Sequence, residues 1–159
     1  MKITFRRLLL VPLLALAAGA SVAADTSSTS AAADKLEPAR ARLAEKNYAA
    51  AIDELKKASD PASADWNNLM GYSLRRASAG NAAEAEKHYN AALRIDPKHK
   101  GALEYSGELY LMTGDLAKAE QRLAALDKAC FLPCSEHRDL KNAIARYKTN
   151  GNKYVAGDW

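Results

Sequence analysis

Apolar residues recur along this chain at helical rather than strand spacing. Leu140, Ala143, Ile144 and Tyr147 fall at i, i+3, i+4 and i+7, the stripe of a helix with one buried face. Trp66, Leu69, Met70, Ser73, Leu74 and Ala77 form a comparable side on an earlier segment. No stretch alternates apolar and polar residues with β-branched side chains over strand length, and strong helix formers dominate. The pattern predicts an all-α chain of seven helices: 34–46 with 48–59, 63–77 with 82–95, 100–113 with 116–128, and a last one at 136–149. Asp60-Pro61 and Asp96-Pro97 close the first two pairs, because the residue before a proline is pushed out of helical geometry. Asp34 with Glu37 is expected to form a capping box, with Pro38 tolerated in the first turn. Ser63, Asn81 and Ser135 are expected to cap their helices, and Asn150-Gly151 to end the last one.

The punctuation between helices keeps a fixed interval. Lys46-Asn47, Gly80-Asn81 and Gly114-Asp115 lie 34 residues apart, as do Ala51, Ala85 and Ala119, then Leu55, Tyr89 and Leu123, then Ala58, Ala92 and Leu126. That period is the length of one helix–turn–helix unit in a stacked array. The alanines sit where two helices must approach closely, and the larger residues one turn on fill the gap. Gly71 and Gly107 take the small-residue role on the first helices, but they lie 36 residues apart. The expected cause is a turn two residues longer within 77–80, offset by a shorter connection around Asp60-Pro61.

These residues resemble the tetratricopeptide repeat family. Leu103, Gly107, Tyr110, Gly114, Asp115, Ala119 and Leu126 follow its pattern most closely, and Gly80, Ala85, Tyr89, Ala92 and Asp96-Pro97 follow it in the unit before. Tyr48, Ala51, Leu55 and Ala58 carry it more weakly. The resemblance implies a helix–turn–helix solenoid of about three units (34–61, 63–97 and 100–129) with a capping helix at 136–149 and a tail at 151–159. It further implies a right-handed superhelix whose first helices line a concave groove for a protein or peptide. Carried over position by position, the groove residues are Asn68, Tyr72, Arg75, Arg76, Glu104, Glu108, Leu111 and Met112. Arg75, Arg76 and Asn68 partly echo the clamp with which some members hold a C-terminal carboxylate, whereas Glu104 and Glu108 would repel such a group.

Composition changes the picture at the ends. Lys2, Arg6 and Arg7, then the apolar run 8–18, then Ser21-Val22-Ala23-Ala24 have the order of a secretory signal, with cleavage expected after Ala24. The run is shorter than the roughly 20 residues that span a bilayer, so no membrane span is expected after cleavage. The small polar stretch 25–33 reads as a flexible leader. The expected location is the bacterial periplasm or the outside, with an envelope protein or peptide as partner. Three of the 23 basic side chains fall in the signal, leaving 20 against 19 acidic ones and a net of +1. That balance offers no basic field for nucleic acid. The amphipathic last helix reads as a cap on the array, which favours a monomer.

Candidate chemistry is sparse. Cys130 and Cys134 flank Pro133, which breaks the helix and allows the two side chains to meet as a disulfide in an oxidising compartment. The rival expectation is a thiol-redox or metal-binding module built on Cys130 and Cys134 with His137, although the spacing is not that of a thioredoxin or haem site and no fourth ligand is evident. His88 and His99 are expected on exposed helix and turn positions. No nucleophile–base pair, phosphate-cradling loop or paired carboxylates emerge, so no enzyme, cofactor or metal is expected.

Overall fold

A computed structural model of the chain describes residues 34–155. The expectations for the signal segment, its cleavage, the leader 25–33 and the last four residues lie outside that range. The described residues fold as seven α-helices with no strand: α1 (Glu37–Ala44), α2 (Tyr48–Ala58), α3 (Ala64–Ala77), α4 (Ala82–Ile95), α5 (Lys100–Met112), α6 (Leu116–Ala129) and α7 (Ser135–Thr149). They pack as the hairpins α1–α2, α3–α4 and α5–α6, with α7 against α5 and α6. The protein is an all-α helical repeat.

The small residues of the period do what the spacing predicts. Ala51, Ala85 and Ala119 have no exposed surface, and neither do Leu55, Tyr89, Ala92 and Leu126. A Cβ on Gly71 would lie 2.8 Å from the Tyr89 ring and 3.1 Å from the Ala85 carbonyl oxygen, so hydrogen alone lets α3 meet α4. At Gly107 a Cβ would lie 2.5 Å from Leu140 Cδ2, so the same device seats α7 on α5. Trp66 locks the first hairpin to the second by donating its Nε1–H to the Leu55 carbonyl at 2.7 Å.

The turns within hairpins are of two kinds. After α1 and α5, a left-handed residue (Lys46, φ 56°; Gly114, φ 83°) reverses the chain. Asn47 N–H then donates to Arg42 O and Asp115 N–H to Tyr110 O, which closes a Schellman motif. The same Asn47 and Asp115 side chains accept from Ala50 N and Lys118 N, so one residue ends a helix and caps the next. After α3 the chain instead makes a 3-10 turn at Ala79–Asn81, and Gly80 has no left-handed φ.

Four local expectations need correction. Asp34 and Glu37 form no capping box: the α1 N-cap is Leu36 without a side-chain cap, and Asp34 Oδ1 accepts from Leu36 N–H instead. Asn81 does not cap α4, because its amide donates back to Leu74 O at 3.2 Å. Ser135 lies inside α7, whose N-cap is Cys134, so only Ser63 caps as expected, accepting from Trp66 N–H. The 36-residue slip also has a different offset. The link after α3 has four residues against three after α1 and α5, yet the link 59–63 is not short, having five residues against four at 96–99. The compensation is α2 itself, 11 residues long against 14 for α4 and α6.

Candidate functional site

The first helices of the three hairpins and α7 enclose a cleft of about 480 Å3. Arg40 and Leu43 come from α1; Asn68, Leu69 and Tyr72 from α3; Gly101, Glu104 and Tyr105 from α5; Ser135, Glu136 and Asp139 from α7. Three of the eight groove positions expected from the sequence therefore meet there: Asn68, Tyr72 and Glu104. Tyr72 and Tyr105 stand side by side with ring centroids 4.7 Å apart.

The other five are placed differently. Arg75 and Glu108 are a buried ion pair, Nη2 to Oε2 at 2.8 Å, with side chains 2% and 0% exposed. They tie α3 to α5, and the Arg75 guanidinium also lies 5.7 Å from the Tyr72 ring and 5.9 Å from that of Tyr105. Arg76 donates Nε–H and Nη2–H to the Tyr48 hydroxyl at 3.2 and 3.0 Å and stacks over the Tyr48 ring. Arg75 is thus not available to clamp a carboxylate, and Arg76 lies outside the cleft lining, held by Tyr48. Leu111, 1% exposed, belongs to the core that Leu126, Leu140, Ile144 and Tyr147 build, and half-buried Met112 packs against the core around Tyr89. Repeat geometry alone carried the groove too far toward the helix C-termini, where α7 and the following Tyr154, 3.5 Å from Arg75, cover the face.

Sequence reasoning missed Arg40, Leu43, Tyr105 and the α7 residues. Tyr105 follows Glu104 directly and shares its turn, so a stripe centred half a turn earlier would have included it. The α7 contribution had no signal, because a capping helix was expected to cover the array rather than wall the cleft.

Acidic groups dominate the electrostatics of the cleft. Burial raises the Glu104 carboxyl to about 8, and nearby Glu108, Asp139 and Glu136 add to the effect. It is therefore largely protonated at pH 7. Arg40 is the single basic lining residue, and it faces Asp34 at 3.5 Å and Asp65 at 3.6 Å.

Cys130 and Cys134 lie at disulfide distance, with Cα atoms 6.0 Å apart. His137 does not join them: its Nε2 lies 2.7 Å from Asp127 Oδ1. Between the cysteines Phe131 is fully exposed and Leu132 is 71% exposed. The other histidines are less exposed than expected. His88 packs edge-on to Trp66 with ring centroids 5.6 Å apart, and burial lowers its pKa. His99 caps α5, accepting from Ala102 N–H through Nδ1, while Nε2 lies 2.9 Å from Asp65 Oδ1.

The family model described as tetratricopeptide repeat matches residues 76–144, from the last turn of α3 into α7. No curated protein matches the chain.

Proposed function

We propose that this protein is a non-catalytic interaction module that grips an extended stretch of another polypeptide in the cleft of α1, α3, α5 and α7. The carrying observation is the cleft itself, lined by residues of four helices and including the adjacent Tyr72–Tyr105 pair. Paired aromatic rings beside polar groups are what polypeptide-binding surfaces favour. The similarity to tetratricopeptide repeats over residues 76–144 supports the reading, since that fold class serves protein–protein contact. The order of residues 1–24 and the cysteine pair support an exported protein of the bacterial envelope, acting as a monomer on an envelope partner.

Site-specific photo-crosslinking tests this. A crosslinking residue at Tyr72 should give a discrete adduct with a partner polypeptide in cells, and one at exposed Asp53 on α2 should not. Equal adducts at both positions, or none at Tyr72, would remove the cleft from the reading. N-terminal sequencing of the exported protein should begin at Asp25; an unprocessed cytoplasmic product would overturn the envelope assignment.

A further inference from the structure

Two largely buried polar side chains line the cleft, and neither accepts a hydrogen bond among the described residues. Asn68 is 7% exposed, and its Oδ1 meets no donor among the described residues. Glu104 is also 7% exposed and has no hydrogen bond or salt bridge among the described residues, Arg75 acting on it only through its charge. Buried polar groups of this kind are ordinarily satisfied. The neighbouring Asn67 shows how this fold does it: its Oδ1 lies 3.2 Å from His88 Nδ1, while its amide N–H groups donate to Pro61 O and Ser63 O. Asn68 and Glu104 have no such partner and line the cleft.

We propose that the cleft receives the cationic side chain, lysine or arginine, of an extended polypeptide, with Glu104 and Asn68 accepting its N–H hydrogens. This rests on the polypeptide reading above and adds the chemistry of recognition. Asn68 Oδ1, and the Glu104 carboxylate once it has lost its proton, are acceptors only, and an ammonium or guanidinium has only donors. An incoming carboxylate or phosphate would meet Glu104, Glu136 and Asp139, with Arg40 already shared between Asp34 and Asp65. Tyr72 and Tyr105 also line the site and offer apolar ring surface to the aliphatic stem, their rings already lying beside the Arg75 guanidinium. A volume of about 480 Å3 holds one long side chain and its adjoining backbone.

Docking of a cation is coupled to a proton. The groups acting on Glu104 are Glu108 on its own helix, Asp139 and Glu136 on α7, and Arg75 on α3, with the Tyr72 and Tyr105 phenols beside it. Free Glu104 holds its proton below about pH 8. The arriving cation favours the carboxylate, and the proton leaves to solvent. Affinity should therefore rise from pH 6 to pH 8 and level off above, by about tenfold per unit where one full proton is released.

The test titrates the full processed chain by NMR with a terminally blocked peptide carrying one central lysine in a neutral polar context. The control is the same peptide with acetyl-lysine. The lysine peptide should shift amide signals of the cleft-lining residues and bind at least about tenfold tighter than the control, a charge-assisted pair being worth that much. Glu104→Gln should erase both the preference and the pH slope while the thermal transition stays cooperative. Equal cleft shifts with both peptides overturn the cation inference and leave the polypeptide cleft standing. Lysine binding unchanged in Glu104→Gln overturns it as well. Absence of cleft shifts with either peptide overturns both.

Discussion

At the residue scale, two acidic side chains one helical turn apart on α5 have opposite fates. Glu108 forms an ion pair with Arg75 inside the protein, whereas Glu104 has no salt bridge among the described residues. Removing one partner of a buried ion pair strands the other, so Glu108→Ala should cost about 3–5 kcal/mol in denaturant unfolding. The double change Arg75→Met with Glu108→Leu should recover most of that loss, because two apolar groups need no partners; equal and additive losses would mean the pair is not coupled. Glu104 carries the reverse sign. Its folded pKa of about 8 stands above the usual carboxylate value, so its contribution is intact below about pH 4.5 and is lost as pH rises toward 8. Glu104→Gln should accordingly stabilise the free protein by about 1–3 kcal/mol at pH 8 and have no effect near pH 4. Thermal melts at the two pH values check this.

At the element scale, equal spacing conceals unequal backbone demands. Gly114 sits in the left-handed region and closes a Schellman motif, while Gly80, at the same place one period earlier, has no positive φ. Gly114→Ala should cost about 1 kcal/mol and Gly80→Ala close to nothing, as read from chemical denaturation. The sequence displayed both glycines in one register. It held no sign that the link after α3 winds as a 3-10 turn, because that choice depends on the Asn81 amide reaching back to Leu74 O. Helix existence and order were legible from periodicity. Caps were less so: Ser63 was read correctly, but Asn81 and Ser135 have capping chemistry and spend it elsewhere or lie one residue too far in.

At the scale of the whole molecule, α7 acts as both lid and wall. Leu140, Ala143, Ile144 and Tyr147 cover the third hairpin, while Ser135, Glu136 and Asp139 complete the cleft. Truncation after Cys134 should therefore abolish cooperative unfolding and expose dye-binding apolar surface around Leu103 and Leu111. Replacing Cys130 and Cys134 with Ser should cost only about 2 kcal/mol, since the loop they close is short, and should leave a cooperative melt by circular dichroism. A truncated chain that melts like the intact one would mean that α7 merely docks on a finished fold. The sequence by itself determined the helical class, the seven-helix order and the small contacts at Ala51, Ala85, Ala119, Gly71 and Gly107, because each depends on period and side-chain size along one or two adjacent helices. Only the tertiary structure decided which polar residues line the cleft. Arg75 and Glu108 share the helical spacing of groove residues, but burial follows from what α7 and Tyr154 lay over them, and no local pattern encodes contacts between segments so far apart.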